Sequence, residues 1–368
     1  MSLQNILERP YFSYLSMKEE LLLCQKRAEK IKKQARIVFV GVGGSSLGVR
    51  ALCSFLGLDH VTVADNLDDA SLKALRFEGS VHWIIASKSG TTMETLGMLN
   101  QLLQSGQDLP GDEFTVITSK VDSHLGRWAQ GHGVEVLRIP EEVGGRFSVY
   151  SPIGFLPLAL AGFSLEDIAE NIRQCTLQEE DLNAFTGFLR QCCEEKIGLL
   201  PVWSYGSRIY EAALWFQQLW SESLGKKISD PSMAVPVPIV CRGASDQHSL
   251  LQQFFEQPQG KAHLFLKEEF YSEQELKEDL LFPDRRLKGR ALSEVLNMEA
   301  EACREALGEV GALTYPWSFS GSIGSLLRFF TFSMIAVDRI AADLRVNAFD
   351  QPGVERCKVL IHQKLLSQ

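Results

Sequence analysis

The sequence predicts an α/β protein: short β-branched and aromatic runs end in glycine- or hydroxyl-rich turns, and each turn leads into a segment with helical spacing. Two such series occur, separated by a polar helical stretch. Strands that alternate with helices pair in parallel, with the helices covering the sheet faces. A chain of 368 residues has length for two such units and an ample core.

The first 33 residues are rich in charge and read as amphipathic helix, without the charged-then-apolar order of a signal peptide. Ile37–Val40 is the first strand, Gly41-Val42-Gly43-Gly44-Ser45-Ser46 its turn, and Leu47–Leu56 the helix that follows. Further strands are predicted at Val61–Ala64, His82–Ala86 and Phe114–Thr118. Gly144-Gly145-Arg146-Phe147-Ser148 forms a loop, and Leu165–Glu195 is the dividing helical stretch. The second series places strands at Leu200–Tyr205, Pro238–Cys241, His263–Leu266 and Leu313–Trp317, then a long helix at about Ile323–Ala342. The expected division is a helical segment 1–35, a first domain 36–165, a linking segment 166–195, a second domain 196–345 and a terminal helical segment 346–368.

The net charge of −9 argues against a general nucleic-acid or membrane-surface role, so an anionic ligand must be held by a local pocket. Eight scattered cysteines, with no C-x-x-C pair and no zinc spacing, read as buried reduced thiols. The most apolar stretch, Ile323–Ala342, carries Arg328 and Asp338, which argues against a membrane span. The cytoplasm is the expected compartment.

Ligands of parallel sheets sit at the carboxyl ends of the strands. Gly41–Ser46 offers backbone N–H groups at a helix start, which suits an anion and equally suits a bare tight turn. It lacks the third glycine of a dinucleotide fingerprint and the Gly-Lys-Ser/Thr of a P-loop. Asp65 nevertheless mimics a ribose-binding acid, which keeps a nicotinamide oxidoreductase as a rival. Ser87-Lys88-Ser89-Gly90-Thr91-Thr92 says more, because capping a helix needs one or two hydroxyls, whereas four beside an ammonium suit a phosphate. Gln218 and Glu222 share a helix face ahead of Gly225, with Glu222 beside aromatic neighbours that could make it a base or simply a partner for Lys226. His248 is read at the start of a helix just past a strand end, and Lys358 follows a Pro352 turn. Taken singly, the two read as a structural histidine and a solvated charge.

In order, these segments resemble the phosphoglucose isomerase family. Gly-Val-Gly-Gly-Ser at 41–45, Ser-Lys-Ser-Gly-Thr-Thr-x-Glu-Thr at 87–95, Gly-Gly-Arg-Phe-Ser at 144–148, Gln218 with Glu222-Ser223-x-Gly-Lys, Gln247-His248, and Phe-Asp-Gln-x-Gly-Val-Glu-x-x-Lys ending at Lys358 are all similar to its motifs. The resemblance implies two sugar-isomerase-type (SIS) three-layer α/β/α sandwich domains with mostly parallel sheets, plus terminal helices. It also implies a homodimer whose active site takes a histidine loop from the partner. The implied activity is the interconversion of glucose 6-phosphate and fructose 6-phosphate through an enediolate, with neither cofactor nor metal.

By motif, Ser87, Lys88, Ser89 and Thr92 would hold the phosphate, Gly44 and Ser45 line the sugar site, and Gln218 touch its hydroxyls. Glu222 would move the proton between C2 and C1, Arg146 stabilise the enediolate, His248 and Lys358 assist ring opening, and Glu94 orient His248. The chain is short for the family, and Ala244 and Asp246 depart from a histidine loop that often reads Gly-Thr-Asn-x-Gln-His. A non-catalytic sugar-phosphate-binding protein on the same domains, and an isomerase that also accepts mannose 6-phosphate, are the alternatives.

Overall fold

The computed structural model describes residues 8–15, 18–31, 36–68, 80–104, 113–269, 274–282 and 284–367. Parts of the expected amphipathic segment, 1–7, 16–17 and 32–35, lie outside the described residues; within it, a 3-10 turn at Pro10–Leu15 precedes helix α1, Lys18–Ile31. The first sheet contains β1 (Arg36–Val40), β2 (Val61–Ala64), β3 (Val81–Ala86), β4 (Phe114–Thr118) and β5 (Glu135–Arg138) in the order β2-β1-β3-β4-β5. Every pairing is parallel. All six residues of β3 are buried, as expected of a central strand covered on both faces. Strand β5 escapes a reading by hydrophobic runs because its sequence, Glu-Val-Leu-Arg, is charged at both ends and lies at the sheet edge.

The second sheet orders β6 (Leu199–Tyr205), β7 (Val237–Gly243), β8 (Ala262–Glu268) and β9 (Leu313–Phe319) as β7-β6-β8-β9, again all parallel. Between the sheets run α5 (Pro152–Leu160), α6 (Leu165–Thr176) and α7 (Glu179–Glu194), the last two forming the expected polar stretch. Ser164 opens α6 through a capping box with Asp167. The remaining helices are α2 (Leu47–Leu56), α3 (Met93–Leu103), α4 (His124–Gly131), α8 (Tyr210–Leu224), α9 (Leu251–Glu256), α10 (Leu292–Glu309), α11 (Ile323–Leu344) and α12 (Glu355–Leu366).

The largest hydrophobic cluster joins both sheets through α2, α5, α8 and α11. Helix α8 buries Ala212, Trp215, Phe216, Leu219 and Trp220, and the Trp220 indole N–H donates to the Pro236 carbonyl at 2.9 Å. Its remaining side, with Gln218 and Glu222, is only partly buried. Helix α11 buries the Asp338 carboxylate that its sequence made conspicuous: Tyr11 donates to it at 3.0 Å and Arg9 pairs with it at 2.8 Å. Among the described residues no single helix is long and apolar enough to cross a membrane. Seven of the eight cysteines are buried free thiols, whereas Cys357 on α12 is exposed.

Candidate active site

The site begins where β1 ends. Gly43–Ser45 makes one 3-10 turn before α2, and the turn lies against the Gly145–Tyr150 turn that precedes α5. A methyl group on Gly44 would stand 2.2 Å from the Gly145 carbonyl carbon and 2.6 Å from the Arg146 amide, so the two backbones meet at a distance only glycine permits. The Ser148 hydroxyl locks the contact by donating to the carbonyl of Gly44 or that of Gly145, at 3.1 and 2.6 Å. Ser45 is buried beneath.

This approach delivers Arg146, whose side chain is 2% exposed. All five of its N–H donors find acceptors. Nε donates to Ser223 Oγ at 2.8 Å; Nη1 donates to Glu222 Oε2 at 3.1 Å and Gln351 Oε1 at 3.0 Å; Nη2 donates to the carbonyls of Ala348 at 2.5 Å and Asp350 at 2.8 Å. Burial pushes the guanidinium pKa down, and Glu222 and Asp350 oppose it. A guanidinium, with its fixed planar fork, meets this demand where an ammonium could not.

Glu222 is thereby gripped from two sides. Its Oε1 accepts from the Gln218 amide at 3.0 Å, one helical turn back on α8, while Oε2 takes Arg146; its side chain is still 32% exposed. Gln218 Oε1 is buried and has no partner among the described residues, an acceptor left open beside the carboxylate. Lys226, which the sequence offered as Glu222's surface partner, instead pairs with Asp350 at 3.1 Å.

Strand β3 neighbours β1 and ends in the hydroxyl-rich loop. Ser87 and Thr92 join their hydroxyls at 2.8 Å across the turn, and Ser87 Oγ also accepts from the Gly90 amide at 3.1 Å. Gly90 takes a φ of 62°, and a methyl there would lie 1.9 Å from Ser123 Oγ, so α4's cap packs directly under the loop. The Lys88 carbonyl is pinned to the end of β4 by the Ser119 amide at 3.0 Å. Burial holds the Lys88 ammonium below its usual pKa; Glu141 and Glu142 pull it back up, and the charges of Lys120 and Arg146 press it down again. Ser89 is exposed and Thr92 half-buried at the start of α3, with Glu94 in its first turn.

Gly44, Ser45, Arg146, Gln218 and Glu222 are thus in one cluster, with Ser87, Lys88, Ser89 and Thr92 on the adjoining strand end. His248 and Lys358 share no hydrogen bond or ion pair with this cluster among the described residues. His248 closes a 3-10 turn, Ser245–His248, rather than opening a helix; it is exposed and shares no hydrogen bond with Glu94. Lys358, exposed on α12, pairs with Glu355 at 2.7 Å. Asp65 at the end of β2 is held by Arg50 at 2.8 Å, and Arg50 also grips Glu211, so the acid that resembled a ribose ligand is engaged in an ion-pair network. Sequence reasoning gave no role to Ser223, Gln351 or the Ala348 and Asp350 carbonyls around Arg146. A backbone acceptor leaves no mark on residue type, although Ser223 and Gln351 do fall inside segments that the motifs cover. Among the described residues no group of three or more His, Cys, Asp or Glu could hold a metal.

The comparisons agree with this architecture along most of the chain. Residues 16–261 match the phosphoglucose isomerase family. A glucose-6-phosphate isomerase of Thermus thermophilus is 33% identical over 356 residues, covering 89% of this chain and 83% of that protein. One from Rubrobacter xylanophilus is 30% identical, covering 95% and 87%. Among solved structures, a hypothetical protein of Thermus thermophilus superposes with a TM-score of 0.87 at 29% identity, covering 96% of this chain and 89% of its own. The fold also matches a tagatose-6-phosphate ketose/aldose isomerase of Escherichia coli, with a TM-score of 0.54 at 14% identity, covering 95% and 94%. Two parallel sheets, a hydroxyl-rich loop at the end of β3 and a buried arginine gripping a helix-borne carboxylate, together with a family match over two thirds of its length, place the chain in the phosphoglucose isomerase family.

Proposed function

We propose that this chain interconverts glucose 6-phosphate and fructose 6-phosphate; the relatives it matches are named glucose-6-phosphate isomerases. The observation that carries the proposal is the Glu222 carboxylate, gripped by Gln218 and Arg146 yet a third exposed, with the Ser87–Thr92 loop at the end of the strand that neighbours β1. An aldose-ketose shift needs one carboxylate to take a proton from C2 and return it to C1, and a cation for the enediolate oxygen. Glu222 is the base in this reading, and Arg146 is the cation.

Ser87, Lys88, Ser89 and Thr92 bind the phosphate, far enough from the reacting carbons that their binding energy fixes C1 and C2 against Glu222. The sugar lies over Gly44 and Ser45, and its hydroxyls supply the donor that the buried Gln218 Oε1 lacks. His248 and Lys358 assist ring opening, with Glu94 orienting the histidine. Because His248 is exposed and shares no hydrogen bond with the cluster among the described residues, the reading takes the histidine loop from a second copy, so the active form is a homodimer. Its place is the cytoplasm, in sugar-phosphate metabolism.

The experiment is a coupled assay of fructose 6-phosphate turnover by the wild type and Glu222→Gln, with and without a chelator. Turnover by the wild type that chelator leaves unchanged, and a fall on the order of 10²- to 10⁴-fold in the variant, is the expected result. A wild type that binds fructose 6-phosphate and never turns it over makes the chain a sugar-phosphate-binding protein instead.

A further inference from the structure

Three of Arg146's five hydrogen bonds end on one short turn, at the carbonyls of Ala348 and Asp350 and the side chain of Gln351. The turn joins α11 to the 3-10 turn Pro352–Val354 and α12, and has few anchors of its own. Phe349 packs on Tyr11 and Phe147, and its amide is capped by Asn347 at 2.9 Å, but Asn347, Asp350 and Gln351 are exposed. What fastens its polar side to the catalytic helix is a residue to which no role has been given.

Lys226 lies two positions past the end of α8, with its side chain 12% exposed. Its ammonium donates to the Ser223 carbonyl at 2.7 Å, to the Asn347 carbonyl, and to Asp350 Oδ1 at 3.1 Å. An ammonium has three protons, and all three are placed. One acceptor belongs to the helix that carries Glu222, and the other two bracket the turn whose carbonyls receive Arg146. Burial lowers the pKa of the Lys226 ammonium while Asp350 sustains its charge, as expected of a cation held in place by specific partners.

We propose that Lys226 is a positioning residue for the isomerase reaction, stapling the Asn347–Gln351 turn to the end of α8 so that Arg146 and Glu222 keep their mutual geometry. This rests on Glu222 and Arg146 having the roles given above. The chain of cause runs from Lys226 through the turn to Arg146, and from Arg146 to the carboxylate. Loss of the staple frees the turn, leaves the guanidinium with fewer fixed acceptors, and lets the base drift from the reacting carbons. The phosphate loop follows β3 and shares no hydrogen bond with this network, so substrate capture is spared.

The test is steady-state kinetics with fructose 6-phosphate on the wild type, Lys226→Met, Lys226→Arg, Asp350→Asn and the Lys226→Met/Asp350→Asn double variant, with active sites counted by sugar-phosphate titration. The expected pattern for Lys226→Met is a kcat loss on the order of 10- to 100-fold, with KM within about twofold. Lys226→Arg recovers part of the loss, Asp350→Asn loses kcat in the same direction, and the double variant is no worse than Lys226→Met alone. A kcat per active site equal to the wild type's in Lys226→Met overturns the proposal, as does a rise confined to KM, or strictly additive losses. If Lys226→Met does not fold, Asp350→Asn decides: an unchanged kcat there overturns the proposal. A wild type with no turnover removes the isomerase reading itself, whereas an active wild type with an indifferent Lys226 removes only this one.

Discussion

Arg146 and Glu222, 76 residues apart in sequence, share a hydrogen bond of 3.1 Å from Nη1 to Oε2, with the arginine buried and the glutamate reaching solvent. The asymmetry separates their duties: the buried partner is fixed, and the other is free to meet a ligand. Arg146→Lys keeps the charge but offers three donors for five acceptors, so two of the five lose their partner. The expected outcome is a kcat loss on the order of 10²- to 10³-fold in the coupled assay, with folding retained by circular dichroism. Near-wild-type turnover would exclude electrostatic stabilisation by the guanidinium.

Lys88→Met tests the phosphate loop. The substitution keeps the length of the chain and removes one charge-assisted contact, which is worth about 1.5–3 kcal/mol. KM for fructose 6-phosphate should rise roughly 10- to 100-fold, while an added phosphate salt should compete less well than with the wild type. An unchanged KM would place the phosphate elsewhere.

Gly44→Ala probes the backbone contact behind the site. The new methyl would meet main chain at Gly145 rather than a side chain that could swing away. The loops must part, which costs about 1–3 kcal/mol as overpacking and displaces Arg146 with them. A lower urea midpoint together with lost activity is expected. Gly57→Ala is the control for backbone strain: its φ is 65°, but open space surrounds it, so it should lower stability without touching turnover.

Acid should weaken the fold before carboxylates begin to protonate. Burial, helped by Arg27, holds His82 at about 3, and burial, helped by Lys261, holds His263 at about 4, against 6.5 for the free side chain. The unfolded chain therefore takes up protons below pH 6.5 that the folded chain refuses. Stability is full above that value and is lost as pH falls towards about 4 for His263 and about 3 for His82. The unfolding temperature should drop between pH 6.5 and about 5. His82→Gln, which can still bond the Thr115 hydroxyl that His82 meets at 2.9 Å, should drop less steeply. Parallel slopes would show that His82 titrates normally.

Eight of the nine strands were legible as β-branched and aromatic runs ending in turns, and a central one such as Val81–Ala86 is buried along its whole length. The helix ends were legible where one residue dictates them, as at Gly225 after α8 and Pro352 before α12. The sequence also placed Glu222 and Gln218 on a common face correctly, since helical spacing alone brings them to 3.0 Å. It did not reveal that Lys226 would turn from Glu222 to Asp350, because that choice depends on where a chain segment more than a hundred residues away returns. The surroundings of Arg146 were hidden for a related reason: carbonyls at 348 and 350 become ligands through tertiary placement and not through residue identity.

The acceptors that Arg146 finds at positions 348, 350 and 351 have a temporal corollary. A ribosome releases them after both sheets have emerged, so a nascent polypeptide can complete its β-structure while its guanidinium still faces water. Competence for chemistry then arrives in one late step, when the tail folds back over a scaffold already built.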